Sequence, residues 1–324
     1  MTAGALRATP QNWFEHSFGL GNTVDTYPQD CATTPDGRLG AVRYANPSNV
    51  GNVVCIYRLT GAGAYAQPVL PTDPWQSSCF DTQTFGLQNN GLQHSLTSGF
   101  HRPSDAIEMT NEWCVSIGTG DSTGGTTPDE TYIEAIHIGN PIPALVNQFV
   151  ISPGANPSTD RAGFAHDLAI TRDAKWAVIN SENWIHLLRL DATTTPPSAT
   201  YTGFNIGANP PGPCNPNGAV DSVAVTNERA VVVTSRPTAT SSPLLGLNST
   251  WVYIVDLTPT TGPALVLEHE IPTDPEWVAT SNFDHDEPHD VAITPTRDGG
   301  GTLAVVTTNH STAFYDLVNN VFIS

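Results

Sequence analysis

The chain has 324 residues, of which 39% are hydrophobic and 13% charged, so it can bury a core and is not disordered by composition. Its 31 acidic and 12 basic residues give a net charge of −19, with Lys175 the only lysine. That balance argues against binding phosphate backbones or anionic membrane surfaces, both of which need clustered cations. No apolar run approaches the roughly 20 residues that cross a bilayer as a helix.

In chain order, Met1–Pro10 lacks a charged-then-apolar signal, so an exported chain is expected to have lost its leader. Residues 11–20 read as a strand. A short motif comes next and recurs four more times: Gln29–Thr34, Asp105–Thr110, His166–Thr171, Asp221–Thr226 and His289–Thr294. Each copy is a small apolar run closed by threonine, then a turn, then a second apolar run. The threonines stand at 34, 110, 171, 226 and 294, in steps of 76, 61, 55 and 68 residues. Passing through the C-terminus back to the first takes 64 more, which is the spacing of a ring of five units. Two further strands are expected in each unit, and Trp251–Leu257 shows clear alternation. No stretch of ten or more residues keeps a helical period. Gly and Pro, 27 of each, fall between the apolar runs, as many short strands with tight connections require.

The expected fold is all-β: a five-bladed β-propeller of four-stranded antiparallel blades forming one domain over 1–324. The blades are expected near 30–87, 105–151, 166–206, 221–271 and 289–317. Radial repetition protects strand edges. The strand at 11–20 is expected to complete the last blade and lock the ring, with Val321–Ile323 competing for that place. Asp30–Tyr44, with its Thr34-Pro35-Asp36-Gly37 turn, and Pro288–Thr294 resemble the YVTN-type β-propeller repeat family. The resemblance covers the first two strands of the repeats and implies the fold. It departs from that family in repeat length, in blade number and in the turns of the second and fourth copies. It implies no particular activity.

In a ring, the connections entering the innermost strands converge on one mouth of the channel. The residues opening the five copies are Gln29, Asp105, His166, Asp221 and His289. Two imidazoles and two carboxylates facing one another are suitable ligands for zinc, copper or iron, and carboxylates alone suit calcium. A second cluster, Asp284–Asp290, adds His285 and Asp286 on the loop entering the fifth copy. The competing expectation is that these side chains hydrogen-bond to neighbouring backbone or are solvated. Of the five cysteines, Cys55 and Cys79 stand where neighbouring strands of one repeat can bring them together. Low lysine content with abundant Thr, Asn, Gly and Pro points to an extracellular or periplasmic location, while the glycosylation-type sequences at Asn248 and Asn309 are no more than chance supplies in this length. Two functions are expected from this pattern. One is an exported binding or scaffold propeller using its loop face for a protein or glycan, without nucleic-acid binding or membrane insertion. The alternative is a divalent-metal-dependent hydrolase or lyase acting on an extracellular polymer or lactone, with no nucleotide cofactor.

Overall fold

The computed structural model describes residues 27–45, 53–60, 67–68, 77–81, 106–120, 130–139, 143–151, 165–181, 184–206, 222–237, 248–259, 261–271, 288–294, 301–308 and 311–323. Among these there is no helix, and the strands form five antiparallel sheets, four of them meanders taken in chain order and the first a meander whose third strand takes two further partners. Sheet one contains β1 (Tyr27–Thr33), β2 (Leu39–Ala45) and β3 (Val53–Thr60), with β4 (Gln67–Pro68) and β5 (Ser77–Asp81) both pairing with β3. Sheet two is β6 (Ile107–Met109), β7 (Trp113–Gly120), β8 (Glu130–His137) and β9 (Ala144–Ile151). Sheet three is β10 (Ala165–Ile170), β11 (Trp176–Ser181), β12 (Trp184–Asp191) and β13 (Ser198–Asn205). Sheet four is β14 (Ser222–Val225), β15 (Arg229–Pro237), β16 (Asn248–Asp256) and β17 (Ala264–Ile271). Sheet five is β18 (Pro288–Ile293), β19 (Leu303–Thr308), β20 (Thr312–Asp316) and β21 (Val321–Phe322).

The repeating threonine has a direct physical role. In all five sheets its backbone N–H donates to the carbonyl of the first residue of the second strand: Thr34 to Leu39, Thr110 to Trp113, Thr171 to Trp176, Thr226 to Arg229 and Thr294 to Leu303, at 2.7–2.9 Å. In all five its hydroxyl accepts that same residue's N–H, at 2.9–3.2 Å. One small polar side chain thus closes the inner hairpin while most of the threonines are buried.

The sheets stack face to face in sequence. Sheets one and two share a core of Leu39, Ala41, Val54 and Ile56 against Ile107, Met109 and Ile136. Sheets two and three bury Trp113, Val115 and Ile117 against Leu168, Ile170 and Ile179. Sheets three and four bury Val178 and Leu187 against Val223, Val232 and Tyr253. Sheets four and five bury Val231, Val233 and Ile254 against Val291, Val306 and Tyr315. Alternate residues of one strand therefore serve two interfaces: Ala230 and Val232 face sheet three, whereas Val231 and Val233 face sheet five. The first strands are neighbours in the same order, β1 beside β6, β6 beside β10, β10 beside β14 and β14 beside β18. This is the arrangement of successive propeller blades around their innermost strands.

Two details differ from the sequence expectation. The fourth place in sheet five is held by Val321–Phe322, paired with Asp316 and Tyr315. Phe322 stacks on His269 at 4.6 Å between ring centroids, a contact that reaches from this short strand to sheet four. Residues 11–20, expected in that place, lie outside the described residues. In sheet four, β16 also begins before the alternating run Trp251–Leu257, at Asn248, where it pairs with Pro237 of β15.

The turns after β1 and β10 are built alike. Gly37 donates its N–H to the Thr34 carbonyl, and Ala174 to that of Thr171, both at 2.8 Å. Both residues lie in the left-handed region, with φ of 68° and 56°. Glycine adopts this conformation without steric cost, whereas alanine is strained there by roughly 1 kcal/mol. Ala174→Gly is therefore expected to raise the unfolding free energy by about 0.5 kcal/mol, and Gly37→Ala to lower it by about 1 kcal/mol. Urea denaturation of the two variants checks both signs.

Candidate functional site

The inner strands of sheets one, three and five each carry a β-bulge at the same point, between Pro28 and Asp30, Ala165 and Asp167, and Pro288 and Asp290. The bulged residues are Gln29, His166 and His289, three of the five positions singled out in the sequence. A bulge re-aims the side chains that come after it along the strand. The next residue here is each time an aspartate, four residues before the closing threonine: Asp30, Asp167 and Asp290. Each of these carboxylates accepts the N–H of the next residue in its own strand at 2.8 Å.

The second carboxylate oxygen of two of them crosses to the neighbouring sheet. Asp30 Oδ2 accepts the N–H of Ile107 at 2.9 Å, and Asp167 Oδ2 accepts that of Val223 at 2.8 Å. Sheets two and four have Ala106 and Ser222 where the others have aspartate, so their first inner N–H takes its acceptor from the preceding sheet. Ser222 Oγ lies 3.3 Å from Asp167 Oδ2 and 3.2 Å from Asp290 Oδ1, tying sheets three, four and five together. At the opposite end of the same strands, Asp36 N–H donates to Asn111 Oδ1 at 3.2 Å, and Asp173 N–H to Asn227 Oδ1 at 3.0 Å.

Glu108 lies two residues before its threonine, where the other copies have Ala32, Ala169, Ala224 and Ala292. The alanines leave room on the inner face, and the glutamate side chain is exposed there. Although the residue keeps contact with solvent, the protein atoms crowding its carboxyl strip part of its hydration, and this desolvation, then the charges of Asp167 and Asp30, push its pKa up to about 7. Asp167 is also raised. Burial is the main cause and Asp290 adds to it, while the bonds from Val223, Leu168 and Ser222 pull the other way. Carboxylates from four sheets therefore converge where the inner strands begin. Carboxylates can pair with cations or accept hydrogen bonds from hydroxyls, and Glu108 can hold a proton near neutral pH.

Of the expected metal ligands, His166 and His289 are placed at equivalent bulges of β10 and β18, but their side chains lie outside the described residues. Asp105, Asp221, His285 and Asp286 also lie outside them. Among the described residues, no group of three or more His, Cys, Asp or Glu is placed to hold a metal ion. Sequence reasoning selected the residue before each aspartate, because alignment on the threonines does not reveal a bulge. The recurrence of aspartate at 30, 167 and 290 was the available signal, as was the lone glutamate among four alanines.

A second polar constellation is structural. In sheet three Ser181 Oγ lies 2.8 Å from His186 Nε2, and His186 Nδ1 lies 3.0 Å from Tyr201 Oη. The order Ser–His–Tyr invites a nucleophile reading, but Ser181 and His186 are fully buried. Burial lowers His186 to about 3, so the ring is neutral, and raises the Tyr201 hydroxyl to about 12. Gly203, opposite His186, leaves the space that Tyr201 Oη fills: a Cβ there would stand 2.7 Å from that oxygen.

No family model and no curated protein matches the sequence, so the likeness to YVTN-type repeats stands on the inner-strand and turn residues alone. Solved structures do match. One is Hsv2 of Kluyveromyces lactis, at 10% identity and a TM-score of 0.39, covering 93% of this chain. This chain spans only 62% of the length of that one. Another is the β-propeller domain of Cps50 (Swd1) of Myceliophthora thermophila, at 12% identity and a TM-score of 0.37, covering 93% of this chain and 88% of that one. A third is a GH43 endo-arabinanase from Bacillus licheniformis, at 14% identity and a TM-score of 0.36, covering 92% of both chains.

The carboxylates give two expected outcomes. Asp167→Ala leaves the N–H groups of Val223 and Leu168 without their acceptor and is expected to cost roughly 2 kcal/mol of stability, read from urea denaturation. Glu108 titrates higher in the folded chain than in the unfolded one, so its contribution is fully present below the ordinary value of 4.5 and is lost as pH rises through about 7. Glu108→Gln, which stays neutral, is expected to raise the melting temperature at pH 8 and to leave it nearly unchanged at pH 5. Solvent reaching the side chain keeps this effect modest.

Proposed function

We propose that the chain is an exported five-bladed β-propeller, a single domain over 1–324 with a closed ring, which binds a protein or glycan ligand over the end where its inner-strand carboxylates converge. The observation that carries this reading is the asymmetry of the connections. Those that enter an inner strand from the sheet before it are long: residues 82–106, 152–164, 206–221 and 272–287. The turns that close the inner hairpins at the opposite end are mostly short, 34–38, 110–112, 171–175 and 226–228, with 294–302 the longest of the five. Long connections on a rigid scaffold are where recognition residues collect. Carboxylates beneath them accept hydrogen bonds from sugar hydroxyls or pair with lysine and arginine of a protein.

A second reading is favoured by Glu108. A carboxyl that keeps its proton near neutral pH, beside Asp30 and Asp167, has the pairing of proton donor and acceptor that hydrolysis or elimination needs. In that reading His166, His289, Asp105, Asp221, His285 and Asp286 supply ligands to a divalent ion, calcium or a transition metal. The ion would polarise a carbonyl or activate water.

One set of measurements separates the two. Purified protein is screened against immobilised glycans and cationic peptides, and its metal content is determined. The binding reading expects a saturable ligand whose affinity falls at least tenfold, about 1.4 kcal/mol, in Asp290→Asn. It is overturned if stoichiometric transition metal co-purifies, disappears in the His166→Ala, His289→Ala double variant, and accompanies turnover of a polymer or lactone.

A further inference from the structure

Cys55 in β3 and Cys79 in β5 are direct register partners across an antiparallel pair. Val54 with Phe80 and Ile56 with Ser78 continue the register on either side, so no bulge displaces them. Opposed residues of such a pair have Cα atoms about 4.5–5.5 Å apart, inside the roughly 4.4–6.8 Å that a disulfide spans. Two other cysteines in strands face no cysteine: Cys31 is opposite Val42, and Cys114 is opposite Met109 and Ile136. A cross-link in sheet one would also constrain the chain between the two strands. Residues 61–76 separate β3 from β5 in sequence, with Gln67–Pro68 pairing back on the end of β3, and a link at 55 and 79 closes this stretch of chain in the unfolded state as well as the folded one.

We propose that Cys55 and Cys79 form an intrachain cross-strand disulfide that holds the outer strand of sheet one. In its formation each thiol gives up a proton, the two sulfurs bond, and two electrons pass to a small-molecule disulfide, which is cleaved to two thiols. Such a bond persists in an oxidising compartment. The proposal stands independently of what the loop face binds.

The test counts thiols on the full chain, secreted into an oxidising compartment or equilibrated with oxidised glutathione. The chain is then denatured and alkylated with and without prior reduction. Three of the five cysteines are expected to be alkylated without reductant and all five after it, with non-reduced peptide mapping joining the segments that hold 55 and 79. Cys55→Ser is expected to give four adducts with or without reductant. It is also expected to melt about 5 °C lower than the oxidised wild type, and reductant should shift the wild type by the same amount but not the variant. The proposal is overturned if the wild type takes five adducts without reductant, or if mapping joins either cysteine to Cys31, Cys114 or Cys214. Because alkylation reads the denatured chain, a variant that folds poorly still gives a decisive count.

Discussion

The constraint on which the arrangement of sheets rests is a backbone N–H that its own strand cannot satisfy. In sheets two and four the inner strand opens without an aspartate, and the N–H of Ile107 or Val223 would be left without an acceptor beside the packed core. A buried donor in that state costs as much as a lost hydrogen bond. Asp30 and Asp167 resolve this from the preceding sheet, each carboxylate serving its own strand with one oxygen and its neighbour with the other. The contacts from Asp36 to Asn111 and from Asp173 to Asn227 repeat the linkage at the far end of the same strands. Sheets one and two, and likewise three and four, are thereby aligned at both ends of their inner strands before any apolar contact is counted.

The hydrophobic packing builds on that alignment. Strands such as β15 are apolar on both faces because each face closes a different interface, so the short run Val231-Val232-Val233 shows no alternation although the strand alternates in space. A single substitution there would disturb two neighbouring sheets, unlike one in a sheet with a solvated face. The His186–Tyr201 pair is one polar exception within this packing. It is tolerated because both ring nitrogens have partners and because Gly203 provides the volume.

Much of the fold was legible in the sequence for a local reason. The closing threonine makes the same two bonds in every sheet, so its spacing marks each inner hairpin directly. The strand runs at 113, 144, 176, 264 and 303 begin where the apolar pattern begins. The acidic group was less legible, for two physical reasons. A bulge adds a residue without changing the motif, so a threonine-based alignment pointed to Gln29, His166 and His289 when the carboxylates come one residue later. Glu108 gives no periodic signal, since it is a departure from the four alanines at its level. Val321–Ile323 was visible as a competitor for the last place in sheet five, but its aromatic contact with His269, a residue of another sheet, leaves no mark on the local pattern.

The alternation between sheets that carry the bridging aspartate and sheets that receive it has a consequence of parity. Carriers and receivers can pair off completely only around an even number of sheets. The five sheets among the described residues begin and end with a carrier, and Cys31 already has its N–H bound by its own Asp30. A junction of the fifth sheet with the first would bring two carriers together, with no waiting donor for Asp290 Oδ2. Such a seam would resemble the junction of sheets two and three, which no aspartate bridges among the described residues, and would have to hold by side-chain packing instead of by a shared carboxylate.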